Sequence, residues 1–536
     1  MFDLLIKNGT VVDGTGAPGY LADVGITGDS ITAVGSLGGD DAQNAARTID
    51  ASGRVVSPGF IDLHCHSDMS FLIDPLADSK LTQGVTLELN GNCGMSPCAP
   101  LQSAAAREAL ENRFFTAGAE FTPDWTDFAG YLAAQEQAKG VINQAFQVGH
   151  GTVRTNVLGM AARAPSFEEL EKMKRLVAES IDAGAMGFAT GLFYAPGSYS
   201  LTDEVVQLAQ EAADRGKVYS SHIRSESNDS VGLHVAVNEA IEIGRRTGGR
   251  IQMSHVKAKG PFTWGRAGEI LELQARARRE GIDVAGDQYP YVASSTSLTG
   301  GLFPRWALAG GRAATLETMD DSDLRARLRE GIDWNIKSFM GSPDRVLLAA
   351  YGPDRSREGQ RLDEIADHMG CEPSEAAIRL YEGAEASVVQ FSLREDDVDL
   401  IARDPFIAVA SDGNSVRSEG PLSGGKPHPR SYGTFPRFLA EMRRDKKLVS
   451  LEEAVRKMCA LPASRLQLTR RGRIAPRCFA DVVIFDPDTI QDQATFTDPH
   501  RYTTGIDTVI VNGQIALENG APTGARAGRV LRSEDG

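Results

Sequence analysis

At 536 residues the chain exceeds a typical single domain, and its 41% hydrophobic and 24% charged content is ordinary for a soluble globular enzyme. A net charge of −16 argues against nucleic acid or an anionic membrane as a partner, although a local basic pocket can still take a small anion. No stretch approaches the ~20 apolar residues of a membrane span, and Met1–Lys7 is too short an apolar run for a signal peptide. Six cysteines in this length do not make a disulfide scaffold, so a reduced, cytoplasmic setting is expected. Cys65, Cys98, Cys371, Cys459 and Cys478 read as buried or partly buried thiols.

The N-terminus alternates like an antiparallel sheet: Leu4–Lys7, a turn at Asn8-Gly9, Thr10–Val12, then Asp23–Ile26, a turn at Gly28-Asp29, and Ser30–Val34. The C-terminus repeats the grammar with Ala480–Phe485, Thr508–Val511, a turn at Asn512-Gly513, and Gln514–Glu518. One small β domain assembled from residues 1–58 and 465–536 is the expected arrangement.

Between these ends, the apolar run Val55–Ile61, interrupted by Pro58-Gly59, reads as a buried strand leading into Asp-Leu-His-Cys-His-Ser-Asp-Met at 62–69. Strand side chains alternate, so His64 and His66 share a face and Cys65 points the other way, which suits two imidazoles to one metal ion. Four further apolar segments end in metal-type ligands. Thr86–Asn92 runs into Cys93, Lys217–Ser221 into His222, Ile251–Ser254 into His255, and Ile407–Ser411 into Asp412. The chain has only nine histidines, so four of them at strand ends is a pattern rather than an accident.

Taken in order, the strand ends are His66, Cys93, His150, Thr190, His222, His255, Tyr289 and Asp412. Helical periodicity lies between several of them, at Phe167–Ala183, Thr202–Arg215, Gly232–Thr247 and Ala267–Glu280. Eight β-α units over residues 59–464 predict a TIM-type (β/α)8 barrel with its site at the C-terminal strand ends. Tyr289 to Asp412 is too long for one β-α connection of ~30 residues, so an insertion between strands 7 and 8 is expected, with 299–333 as a lid over the mouth. Ser411–Gly425 reads as a loop beyond the last strand.

Asp62–Asp68, Gly91-Asn92-Cys93-Gly94, Gly149-His150-Gly151, Tyr289-Pro290-Tyr291, Ser411-Asp412-Gly413 and His428-Pro429-Arg430 together resemble the D-aminoacylase group of the amidohydrolase superfamily, N-acyl-D-amino-acid deacylases. The resemblance implies one zinc ion held tightly by Cys93, His222 and His255, with a second, weaker position at His64, His66 and Asp412. Thiolate and imidazole favour zinc over magnesium or calcium, which agrees. Cys93 stands where many related amidohydrolases have a bridging carboxylated lysine. Lys257, Tyr289, Arg430, Tyr194 and Ser295 match substrate-contacting positions, and His150 suits a supporting role behind the ligands. The Asn414–Lys426 loop, carrying Arg417, Glu419 and Lys426, looks longer than is usual for the group and bears on side-chain specificity.

The implied reaction is hydrolysis of an N-acyl-D-amino acid with a free carboxylate, Asp412 moving the proton and Arg430 with Lys257 pairing the carboxylate. A dipeptidase cleaving before a C-terminal D-residue shares every one of these residues. A hydantoinase- or dihydroorotase-like cyclic-amide hydrolase is disfavoured by Cys93. A non-catalytic scaffold would be expected to have lost ligands. Oligomeric state is not readable from the sequence.

Overall fold

The computed structural model describes residues 1–38, 45–96, 99–117 and 123–532. The N-terminal segment forms β1 (Leu4–Val11), β2 (Tyr20–Thr27), β3 (Ser30–Gly35), β4 (Arg47–Asp50) and β5 (Val55–Pro58). Asn8-Gly9 is not a hairpin turn: β1 runs through it, with a register shift against β2 between Ile6 and Gly9 and Asn8 at φ 64°. An Asn-Gly pair supplies the left-handed residue of a bulge as readily as that of a turn.

The expected single strand over Val55–Ile61 is two strands in two sheets. β5 pairs with β1, and after Gly59 the chain enters β6 (Phe60–Asp62), which pairs with β7 (Val85–Asn90). A side chain at Gly59 would meet Thr86 Oγ1 at 2.1 Å, so only glycine lets the chain cross there.

From β6 the barrel continues through β7, β8 (Asn143–Gly149), β9 (Gly187–Gly191), β10 (Val218–His222), β11 (Arg250–Met253) and β12 (Val284–Gln288), all parallel. β7 to β10 and β12 are buried along their whole length, as strands covered on both faces must be. The helices between them, among them Phe167–Asp182, Thr202–Ala213, Leu233–Thr247 and Ala267–Arg279, form the outer layer. The first of these starts on a capping box, Ser166 with Glu169.

After β12 the chain leaves the barrel. β13 (Ser294–Ser297), β14 (Val346–Ala350) and β15 (Ser387–Gln390) form an antiparallel sheet in the order β13-β15-β14. It packs with helices including Ser322–Phe339 around its own core of Leu298, Leu302, Leu328, Ile332, Leu362 and Ile365. The excursion is therefore wider than 299–333, because those helices need β13, β14 and β15 to bury against. β16 (Ile407–Val409) then returns beside β12 as the eighth barrel strand. The barrel closes where a Cys65–Gly413 bridge joins the segments following β6 and β16.

The C-terminal strands β17 (Val482–Phe485), β18 (Ile506–Val511), β19 (Gln514–Glu518) and β20 (Ala521–Pro522) join β1 to β5 in one nine-stranded sheet, through β17 against β5. Asn512 and Gly513, at φ 47° and 80°, make the β18–β19 hairpin turn. Among the described residues no helix is long and apolar enough to cross a membrane. Cys65, Cys93, Cys459 and Cys478 are buried free thiols and Cys371 is partly buried, while Cys98 lies outside the described residues.

Candidate metal centre

The loops that close the barrel carry the ligand-type residues. Cys93 Sγ lies 3.4 Å from His64 Nε2 and 3.4 Å from His255 Nε2, and His255 Nε2 lies 3.0 Å from His222 Nδ1. Asp412 Oδ1 is 3.0 Å from His66 Nε2 and 3.4 Å from His64 Nε2. Two groups result, Cys93–His222–His255 and His64–His66–Cys93–Asp412, each with its donor atoms within 4.8 Å of one another and with Cys93 common to both. With zinc–nitrogen bonds of about 2.0–2.1 Å and zinc–sulfur of about 2.3 Å, the edges of a tetrahedron are roughly 3.3–3.6 Å. The 3.4 Å separations fall in that range and the two of 3.0 Å a little below it, and the donor set suits zinc.

Backbone conformation is unusual at three of these positions. Cys93 (φ 53°), His255 (φ 34°) and Asp412 (φ 51°) are all in the left-handed region, which L-residues adopt only when the surroundings enforce it. At Cys93 the enforcement comes from close backbone packing: Gly151 N donates to Gly94 O at 2.8 Å, and a side chain at Gly191 would meet Cys93 O at 2.1 Å.

Two carboxylates behind the imidazoles are missing from the sequence expectations. Asp287 Oδ1 lies 3.0 Å from His64 Nδ1 and accepts the His255 amide at 2.7 Å, so one carboxylate orients two residues of the candidate centre. Glu226 Oε1 lies 3.1 Å from His255 Nδ1. Each leaves Nε2 facing Cys93 Sγ, the carboxylate–histidine arrangement common at metal sites. An acid inside the apolar run Val284–Tyr289 was the available signal for Asp287; Glu226, in a loop four residues after His222, offered none.

Electrostatics favour the ionised forms of Cys93 and Asp412. Burial alone would push the Cys93 thiol up, but His255, His64 and His222 outweigh it and hold it well below the usual thiol range. Burial likewise opposes ionisation of Asp412, and Arg430, His255 and His64 hold its carboxyl well below the usual range. Burial pushes the Tyr289 and Tyr194 phenols up, so both stay protonated donors.

The other expected residues surround this centre with different partners. Arg430 Nη1 donates to Asp412 Oδ2 at 2.7 Å, and Nη2 makes only a 3.4 Å contact with the Ser295 carbonyl. Lys257, expected on the substrate, spends its donors within the chain, on Glu226 Oε1 at 2.5 Å and on His255 O at 2.8 Å, with Nζ 2.7 Å from His255 Nδ1. A buried ammonium requires such partners. The Tyr289 hydroxyl is buried with no hydrogen bond among the described residues, its ring beneath the Arg430 guanidinium at 5.0 Å. Tyr194 packs its ring 4.8 Å from that of His222, its hydroxyl 3.1 Å from Thr296 Oγ1. His150 is outside both donor groups, with Nε2 2.9 Å from Glu204 Oε1. In the loop after β16, Arg417 faces Asp74 and Asp78 at 3.9 Å, and Lys426 donates to the Thr497 carbonyl at 3.0 Å.

An eight-stranded parallel barrel whose strand-end loops gather His, Cys and Asp in this way defines a metal-dependent hydrolase of the amidohydrolase type. The chain belongs to the amidohydrolase family, whose sequence pattern it matches over residues 47–240 and 418–517. It is 38% identical to N-acyl-D-glutamate deacylase of Alcaligenes xylosoxydans xylosoxydans over 99% of this chain and 97% of that one. It is 36% identical to the D-aminoacylase of the same organism, again over 99% and 97%. Among solved structures it is similar to N-acyl-D-glutamate deacylase of Bordetella bronchiseptica, determined with zinc and a phosphonate mimic of the tetrahedral intermediate (TM-score 0.83, 35% identity, 99% of each chain).

Proposed function

We propose that this protein is a zinc-dependent, cytoplasmic N-acyl-D-amino-acid deacylase, releasing a carboxylic acid and a free D-amino acid. The observation that carries the reading is the position of Cys93 Sγ, 3.4 Å from both His64 Nε2 and His255 Nε2. A thiolate shared by the two donor groups stands where a bridging lysine carboxylate serves other amidohydrolases. Cys93, His222 and His255 would hold the tight ion, and His64, His66 and Asp412 the weaker one. Zinc bound there supplies Lewis acidity, polarising the amide carbonyl and making water a stronger acid.

The chain's own groups do the rest. Asp412, ionised and fixed through Oδ2 by Arg430, takes the proton of the attacking water on Oδ1 and returns it to the departing nitrogen. The unpartnered Tyr289 hydroxyl donates to the oxygen on which negative charge develops. The Nη2 edge of Arg430, which holds only the long bond to Ser295 O, anchors the substrate α-carboxylate, while Tyr194 lines the approach next to His222 and Lys257 with Glu226 steadies His255. Free thiols at every described cysteine support the reduced setting.

The test is hydrolysis of N-acetyl-D- and N-acetyl-L-amino acids, with the matching D-carboxamides, by the zinc-loaded protein. D-acids are expected to be cleaved, with their L-enantiomers and the carboxamides at least about a hundredfold slower in kcat/KM. Equal rates for enantiomers, or no loss with a carboxamide, would overturn the proposal.

A further inference from the structure

Beneath the loops that follow β6 and β16 lies a second buried cluster of charge that the reaction does not use. Lys80 is fully buried, and its ammonium is bonded to the Asp62 carboxylate and the Ser411 hydroxyl and lies 3.5 Å from Cys65 Sγ. Asp62 Oδ1 in turn accepts the Ser411 amide at 2.9 Å, and Ser411 Oγ accepts the Gly413 amide at 3.0 Å. These bonds grip the chain on both sides of one residue, Asp412, which sits at φ 51°. The Asp412 amide donates to His64 O at 2.8 Å and the His66 amide to Gly413 O at 3.0 Å, so the gripped turn is also the seam of the barrel.

We infer that Lys80, acting through Asp62 and Ser411, is a positioning residue that holds Asp412 in its left-handed turn with the carboxylate aimed at His64 and His66. A buried ion pair is a poor device for stability alone, since a well-packed apolar pair serves as well or better. What the ammonium adds is direction: its donors fix the Ser411 hydroxyl and, through it, the Gly413 amide. A left-handed aspartate costs free energy that the surroundings must supply, and here they supply it through side chains rather than through a glycine. The inference rests on the reading of Asp412 as the proton-carrying group.

Ser411→Ala removes the link without stranding a buried charge. The expected result is a kcat about tenfold lower or more with KM within about twofold. Zinc retained by the Cys93, His222 and His255 group is expected to be unchanged. In an Asp412→Asn background the same substitution is expected to alter residual turnover by less than about twofold, because the two act on one step. The charge-neutral pair Asp62→Asn with Lys80→Met is expected to repeat the pattern. A crystal structure of zinc-loaded Ser411→Ala is expected to show Asp412 out of the left-handed region or turned from His66. That readout needs no substrate, so it separates failure of this inference from failure of the deacylase reading. Wild-type kcat in Ser411→Ala, an equal loss in the Asp412→Asn background, or an unmoved Asp412 in the crystal would overturn it.

Discussion

Arg430 Nη1 stands 2.7 Å from Asp412 Oδ2, and both side chains are buried. The pair sets the pH range in which Asp412 can accept a proton. Burial pushes its carboxyl up, and the Arg430 charge is the first of the groups that bring it well below the ordinary value. A lowered pKa means the ionised form persists as pH falls and is lost only on passing that pKa. Arg430→Met is therefore expected to move the acidic limb of kcat to higher pH by about one unit or more. A kcat–pH profile checks this, and an unmoved limb would count against Asp412 as the titrating group.

Asp412→Asn keeps the shape of the turn and removes the proton acceptor. Tight zinc is expected to stay with Cys93, His222 and His255, while kcat falls by roughly 10²–10⁴-fold. Elemental analysis beside steady-state kinetics reads both, and near-native kcat would defeat the assignment.

Cys93→Ala takes the shared thiolate from both donor groups. Zinc retention and turnover are expected to fall together, since a pair of neutral imidazoles holds zinc far less well than the same pair with a thiolate. Full zinc content with normal turnover would remove Cys93 from the centre.

Asp287→Asn loosens His64 through its Nδ1 and His255 through its amide at once. The expected cost is about 10–100-fold in metal affinity or activity. Dialysis against a graded chelator measures the affinity; unchanged zinc loss would mean that Asp287 serves only the barrel core.

The excursion after β12 is tied to the mouth by Arg305, which donates to Phe193 O at 2.8 Å and pairs with Asp229 at 3.0 Å. If it acts as a lid, a slowly hydrolysed substrate analogue is expected to slow amide exchange over 294–305 most strongly. Unchanged exchange there would make the excursion peripheral.

The residues of the candidate metal centre were legible in the sequence for a simple reason: each lies at or just past the end of an apolar strand, and a barrel delivers the C-terminal ends of all its strands to one place. His64 and His66 lie just past β6 rather than on it, yet the extended chain at the Cys65–Gly413 bridge keeps the alternation that HxH was read from, and the turn at Asn512-Gly513 needs only two left-handed residues. Tertiary structure decided the rest. Pro58-Gly59 passes the chain from one sheet to another because Thr86, a residue distant in sequence, leaves room only for glycine. Asp287 stands out locally only as an acid in an apolar run, and Glu226 and Lys80 not at all, since their partners come from other strands and loops and meet them only when the barrel closes. The same closure spends the charges of Lys257 and Arg430 on Glu226 and Asp412, because a buried ion takes the nearest opposite charge wherever the chain brings it. Residue type and spacing determine which atoms can bind a metal; the fold determines which of those atoms face one another.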